Sequence, residues 1–138
     1  TEHPSLRIRK KGNSFEITKK QPLDESDSSE QSEHTIKVTE EEYNSLIQIK
    51  GKKVSKIRYD YNYNGINAEI GVFQDELKGL VLVDVEFTDS NSKDAFKMPD
   101  CCLLDVTQDD TFAGGLLCGK KYKDIEDHLK KLGYSPIK

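Results

Sequence analysis

The chain has 138 residues, a length that fits one domain of ordinary size. Its 21 lysine and arginine residues and 25 aspartate and glutamate residues give a net charge of −4. Hydrophobic residues make up 34% of the chain and charged residues 33%, which predicts a small core. No run of about 18 apolar residues occurs, so the sequence excludes a helical membrane span.

Cysteine usage and the N-terminal residues bear on the cellular compartment. Cys101, Cys102 and Cys118 do not form an even set for disulfides, and no zinc-ligand spacing accompanies them. No cationic segment leads into an apolar one, as a secretory signal requires. We therefore predict a cytoplasmic protein with reduced thiols.

The first third of the chain alternates between apolar and polar residues, which indicates strands. Two strands at 6–9 and 14–20 flank a Lys-Gly-Asn turn, and this pattern predicts a hairpin. The polar, acidic residues 21–32 predict a solvated loop. A third short strand is predicted over 33–38.

Capping and turn signals place the middle elements. Thr39 and Glu42 form a capping box, which predicts a helix over 40–49. Strands at 53–61 and 68–73 flank an Asn-Gly turn, and a further strand is predicted over 80–87.

The last third is predicted to hold a helix over 89–97, a strand over 111–116 and a second helix over 123–132. The final helix carries an apolar stripe and ends at Gly133, a typical C-cap. With no internal repeat or domain boundary, residues 1–138 are predicted to form a single domain.

Like charges recur two residues apart on several strands, as in Arg7 with Arg9 and Lys56 with Arg58. Such residues share one face of a strand. A solvated face explains any single pair. The set as a whole, flanked by apolar residues, favours an α+β fold with a closed antiparallel β-barrel whose charges point inward and whose apolar residues meet flanking helices.

A bore that holds both bases and acids suits a polyanion with bound divalent cations. Guanidinium and ammonium groups bind phosphate oxygens. Carboxylates bind Mg²⁺ or Mn²⁺, which bridge to the same phosphates.

Six motifs in a fixed order carry a family resemblance that covers about residues 6–117. They are RIR (7–9), TKK (18–20), KIR (56–58), AEIGVF (68–73), LVDVEF (82–87) and DVTQDDTF (105–112). Because these motifs occur in this order, the chain resembles the CYTH domain of the triphosphate tunnel metalloenzymes. That superfamily includes class IV adenylate cyclases, thiamine triphosphatases and inorganic triphosphatases.

The resemblance implies a role for each matching residue. Five bases are expected to bind phosphate: Arg7, Arg9, Lys20, Lys56 and Arg58. Four carboxylates are expected to hold Mg²⁺ or Mn²⁺: Glu33, Glu69, Asp84 and Glu86. Lys56 and Glu86 are also expected to be catalytic. The implied activity is metal-dependent hydrolysis of a triphosphate-containing small molecule.

Several positions depart from the family pattern. Thr35 and Gly71 stand where carboxylates are common, and Asp84 stands where a glutamate is common. The family also opens with an ExExK strand, whereas this chain begins at Thr1 just before its RIR motif. The chain is therefore expected to be an N-terminally incomplete CYTH-like domain. Its first strand lies upstream of Thr1, as the start at a residue other than Met favours, or the chain is a degenerate member of the family.

Three other functions stay open at this point. The departures favour a non-catalytic module that binds nucleotide or polyphosphate, and the family also admits an adenylate cyclase. A nucleic-acid site would rest on Tyr59, Tyr61 and Tyr63, but in a strand these face away from Lys56 and Arg58. Nucleic acid and membrane are therefore not expected partners, and a homodimer is compatible with the sequence.

Overall fold

The structure, a computed structural model, describes residues 6–24 and 27–138. These residues group into two compact units. The first unit combines the chain up to Lys53 with Val106–Cys118, and the second combines Val54–Asp105 with Gly119–Lys138. Each unit holds one antiparallel sheet and short helices, which confirms the predicted α+β class.

The first unit is built on a three-stranded sheet in the order β1-β2-β3. Its elements are β1 (Leu6–Lys11), β2 (Ser14–Asp24), β3 (Asp27–Val38), α1 (Glu40–Leu46), a 3₁₀ turn (Asp110–Phe112) and α3 (Gly114–Leu117). The predicted hairpin is confirmed, with Gly12 at a φ of +58° in the turn.

β2 and β3 continue through most of the segment predicted to be a solvated loop, so that prediction is wrong for the described residues. β2 runs on to Asp24 and β3 begins at Asp27, with a shift in register between Pro22 and Asp24. Backbone pairing does not require apolar side chains, because the polar residues of a ribbon can face water on both sides. Residues 25 and 26 of the predicted loop lie outside the described part of the chain.

Helix α1 begins as predicted and ends earlier, at Leu46. Thr39 Oγ1 accepts a hydrogen bond from the Glu42 amide at 3.2 Å, and the Thr39 amide donates to Glu42 Oε2 at 2.8 Å. The Tyr43 ring packs against Phe15 of β2, with 5.0 Å between the ring centroids. The capping box and this aromatic contact together fix the helix beside the first sheet.

The second unit is built on a sheet in the order β4-β5-β6. Its elements are β4 (Lys56–Tyr63), β5 (Ile66–Phe73), a 3₁₀ turn (Asp75–Leu77), β6 (Val81–Val85), α2 (Ser90–Ala95) and α4 (Tyr122–Lys131). The Asn64-Gly65 turn joins β4 to β5 with both residues at positive φ. β6 is shorter than the predicted strand at 80–87, so Glu86 follows the strand instead of lying in it.

The predicted strand over 111–116 is wrong. The 3₁₀ turn and α3 occupy this stretch. Asp109 caps the turn by accepting a hydrogen bond from the Thr111 amide at 3.0 Å. Leu116 and Leu117 belong to α3, and a short apolar run of this kind does not distinguish a strand from a helix.

The core of the second unit is formed by residues from β5, the loop before β6 and α4. The buried side chains are Ala68, Phe73, Leu77, Leu80, Ile125 and Leu129. The Tyr134 hydroxyl donates to the Gly79 carbonyl at 2.8 Å and accepts from the Val81 amide at 3.0 Å. This pair of hydrogen bonds fixes the segment after α4 to the start of β6. Among the described residues, no helix is long and apolar enough to cross a membrane.

Candidate functional site

The first sheet places its two arginines on one face, its charged face, and most of its apolar side chains on the other, where Lys19 and His34 also lie. Direct partners across the three strands share a face, so Arg7, Thr18 and Thr35 form one row with Thr18 in the middle. The next row on this face begins with Arg9 beside Glu16. The charged face is the covered one, since Thr18 is fully buried. On the other face, Ile36 is 66% exposed. The predicted alternation of Phe15 and Ile17 against Glu16, Thr18 and Lys20 is thereby confirmed.

Arg9 is paired with two carboxylates on the charged face of the first sheet. Its Nε lies 2.9 Å from Glu16 Oε2, and its Nη2 lies 3.1 Å from Glu33 Oε1. The Arg9 hydrogen bond lowers the pKa of Glu16 below its usual value of 4.5. A predicted phosphate ligand, Arg9, and a predicted metal ligand, Glu33, are thus in direct contact.

Arg7 and Lys20 have a different electrostatic setting from Arg9. A Cβ placed on Gly114 would lie 3.6 Å from Arg7 Nη2, so the guanidinium rests beside the backbone at the start of α3. Lys20 stands directly opposite Glu33 in the strand register. No ion pair joins either base to a carboxylate within residues 6–23 and 31–138.

The second sheet places three carboxylates in one row. Asp60 on β4 is opposite Glu69 on β5, and Glu69 is opposite Asp84 on β6. The adjacent row holds Arg58 and Gly71. Acids and bases therefore share one face of this sheet, with opposite charges side by side.

Glu69 is at the centre of the ion pairs on this face. Arg58 contacts both of its oxygens, with Nε 3.1 Å from Oε1 and Nη1 3.2 Å from Oε2. This is the two-pronged geometry that makes arginine–carboxylate pairs strong. Lys56 Nζ lies 3.9 Å from Glu69 Oε1 and 3.4 Å from Asp84 Oδ2.

The two units bring different predicted residues together. The first unit unites Arg9 with Glu33, and the second unites Lys56, Arg58, Glu69 and Asp84. Glu86 is exposed and lies one residue beyond β6. The inferred role of Glu86 in catalysis stays a prediction.

Asp60 is a candidate site residue that the sequence analysis missed. It lies two residues after Arg58 and shares its face, so the spacing itself contained the signal. As a single acid after two bases it resembled a solvated strand residue. Only the register, which sets it opposite Glu69, connects it with the other carboxylates.

The carboxylates of the second sheet suit a hard divalent cation by their chemistry, because Mg²⁺ and Mn²⁺ prefer oxygen ligands. Within the described ranges, no group of three or more histidine, cysteine, aspartate or glutamate residues is close enough to hold a metal. Mg²⁺ commonly uses one or two carboxylates and completes its shell with water and phosphate oxygens. Glu69 and Asp84 therefore fit such an ion, and the Lys56 ammonium already stands beside both.

The tyrosines of β4 are on the opposite face from this cluster, as predicted. The register sets Tyr59 beside Ile70 and Tyr61 beside Ala68. Tyr61 and Tyr63 stack at 6.4 Å, and Tyr63 meets the edge of Phe96 at 6.4 Å. The aromatic rings are thus separated by the sheet from Lys56 and Arg58.

Comparison with known proteins gives consistent matches. The family model described as the CYTH domain matches residues 1–98. An inorganic triphosphatase of Acetivibrio thermocellus is 28% identical over 97 residues, which are 69% of this chain and 61% of that protein. The matched part thus spans less than two thirds of this curated relative.

Two crystal structures are also similar. One is named the hypothetical protein NE1496, with a TM-score of 0.62 and 27% identity over 84% of this chain and 76% of that one. The other is named the inorganic triphosphatase NE1496, with a TM-score of 0.61 and 26% identity over 83% of this chain and 75% of that one.

Proposed function

This chain belongs to the CYTH domain family, and from that membership we propose that it hydrolyses a triphosphate-containing substrate with a divalent cation. Inorganic triphosphate is the first candidate, because two similar proteins are named inorganic triphosphatases. The observation that carries the proposal is the charged face of each sheet, where arginine and lysine stand beside carboxylates. The closed barrel predicted from the sequence stays part of this proposal.

The bases have the chemistry to bind and orient the phosphates. Arg7 and Lys20 are cations of the first sheet, and Lys56 and Arg58 are cations of the second. Guanidinium groups match the geometry of phosphate oxygens, and their positive charge offsets the charge that develops during phosphoryl transfer. In this proposal a water molecule attacks the terminal phosphorus and the remaining diphosphate leaves.

Glu69 and Asp84 are the residues that would hold Mg²⁺ or Mn²⁺, with Asp60 next to Glu69 in the same row. When bound, the ion supplies Lewis acidity toward phosphoryl oxygens. Glu33 and Glu86 complete the carboxylates proposed to bind metal. The role of Glu86 in catalysis belongs to the same proposal.

The test is phosphate release from tripolyphosphate in the presence of Mg²⁺ or Mn²⁺. We expect Glu69→Gln to lower the rate about 100-fold or more, since it removes charge from the centre of the cluster. Glu41→Gln, on the exposed side of α1, is the matched control and should keep the wild-type rate. A Glu69→Gln variant that stays folded and hydrolyses at the wild-type rate would contradict the assignment.

A non-catalytic binding module is the second candidate. It is favoured by the contacts of Glu69, which already meets two cations, and by Gly71 in the place of a carboxylate. Calorimetry that detects tripolyphosphate binding without any phosphate release would support it.

Incubation with ATP and analysis of the products distinguishes hydrolysis from cyclase activity. The cytoplasmic location and the homodimer stay predictions.

A further inference from the structure

The Lys56 side chain fills the space that a side chain at Gly71 would occupy. A Cβ placed on Gly71 would lie 3.0 Å from Lys56 Cδ and 3.3 Å from Lys56 Nζ. Both separations are shorter than an ordinary van der Waals contact. A side chain at Gly71 would therefore displace Lys56 from its present path by at least a few tenths of an ångström.

This path leads the ammonium to two carboxylates. Lys56 Nζ contacts Glu69 at 3.9 Å and Asp84 at 3.4 Å. It also lies 5.7 Å from the centre of the Phe73 ring, a distance at which the ring face attracts a cation. The ammonium thus lies beside both carboxylates that the proposed function assigns to the metal.

We propose that Lys56 is an internal counter-ion that competes with a divalent cation for Glu69 and Asp84, and that Gly71 enables this competition. The inference rests on the proposed function, in which these carboxylates hold the metal. A divalent cation at these carboxylates would be repelled by the nearby ammonium, so its binding is favoured when the ammonium moves away. The displaced ammonium is then available to a phosphate, so metal and triphosphate favour each other's binding.

The most specific test of this proposal is a substitution that leaves every charged residue in place. Gly71→Ala adds a methyl group that pushes the flexible Lys56 chain aside, and it needs no unusual backbone conformation because Gly71 lies within β5 at an ordinary φ. We expect this variant to bind Mn²⁺ alone about fivefold more tightly than the wild-type chain, a gain in the range of exposed ion pairs. The measurement is a Mn²⁺ titration followed by electron paramagnetic resonance.

Two further variants separate competition from a general charge effect. Lys56→Met should also tighten Mn²⁺ binding, and the double variant Gly71→Ala/Lys56→Met should bind no more tightly than Lys56→Met alone. Lys78→Met removes the same charge from an exposed position and should leave the affinity unchanged.

Equal Mn²⁺ affinity of the wild type and Gly71→Ala, with the thermal unfolding midpoint retained, would overturn the proposal. Additive effects in the double variant would overturn it as well. Because these titrations contain no triphosphate, their outcome is independent of turnover. A chain that shows the expected affinities and releases no phosphate would refute the hydrolase function and leave the competition standing.

Discussion

At the scale of single residues, the Arg9–Glu16 pair is the best defined ion pair of the first sheet. The two residues are direct partners across β1 and β2, and their 2.9 Å contact is mostly shielded, with the Glu16 side chain 14% exposed. The hydrogen bond from Arg9 is the main cause of the lowered pKa of Glu16. A carboxyl group with a lowered pKa in the folded state stabilises the fold only while it is ionised.

We therefore expect Glu16→Gln to lower the unfolding midpoint at neutral pH and to change it little in acid. The pair contributes at pH values above the ordinary pKa of 4.5, and its contribution disappears as the pH falls through the lowered pKa. Urea unfolding of both proteins between neutral and acidic pH measures the difference. Arg9→Met is the companion variant: it removes the pairs with both Glu16 and Glu33, so its loss of stability should also be largest at neutral pH and small in acid. A constant difference at every pH would contradict this account.

Residue pairs at a spacing of two were predictable from the sequence, because the alternation of a strand fixes which side chains share a face. Lys56 and Arg58 illustrate this. Contacts between strands were not predictable, since they depend on register. The approach of Lys56 to Asp84, 28 positions along the chain, follows from the pairing of β4, β5 and β6 and from the absent side chain of Gly71.

At the scale of elements, the segment after α4 is fixed to the second unit's sheet by the Tyr134 side chain and by the Ile137 amide, which donates to the Gly79 carbonyl at 3.0 Å. The Tyr134 hydroxyl bonds both to the Gly79 carbonyl and to the Val81 amide. Gly79 has a φ of +106°, and a Cβ there would lie 3.0 Å from Pro136 Cβ. The loop before β6 therefore adopts a shape that only glycine accepts readily and that the C-terminal segment covers.

We expect Tyr134→Phe to lower the free energy of unfolding by about 1–3 kcal/mol, because the Val81 amide loses its partner, whereas the Gly79 carbonyl keeps the Ile137 amide. Guanidinium unfolding followed by circular dichroism gives the value. Tyr43→Phe is the matched control, since the ring contact of Tyr43 with Phe15 does not involve its hydroxyl, and its effect should stay within about 0.5 kcal/mol. Equal stability of the wild type and Tyr134→Phe would refute the role of this hydroxyl.

Elements with strong local signals could be predicted, and those that depend on long-range pairing could not. Gly12 and Asn64-Gly65 marked two hairpins, and Thr39 with Glu42 marked the start of α1. The extension of β2 to Asp24 had no apolar alternation to reveal it. The run that became α3 contains Gly114 and Gly115, which disfavour both helix and strand and left the apolar pair ambiguous.

At the scale of the whole molecule, the near-balance of 21 bases and 25 acids reflects sheets that place both signs on one face. A net charge of −4 gives a triphosphate no general attraction, so binding must come from local cations. A ligand held by these cations stabilises the folded state in proportion to the logarithm of its concentration.

We expect tripolyphosphate with Mn²⁺ to raise the thermal unfolding midpoint. A concentration 100 times the dissociation constant adds about 2.7 kcal/mol of stability. Differential scanning calorimetry measures the shift, and inorganic sulfate with Mn²⁺ serves as the control that should leave it nearly unchanged. If tripolyphosphate and sulfate give the same midpoint, the cations do not form a triphosphate site.

The hydroxyl bridge of Tyr134 also has a kinetic consequence. β6 is the last strand of its sheet in the described part of the chain, and an amide on such a strand ordinarily meets water. The Val81 amide instead donates to the Tyr134 hydroxyl oxygen, so its hydrogen should exchange with deuterium only when the C-terminal segment detaches locally. The hydrogen-exchange rate of this one amide therefore measures how often the C-terminal segment opens locally while the rest of the protein stays folded.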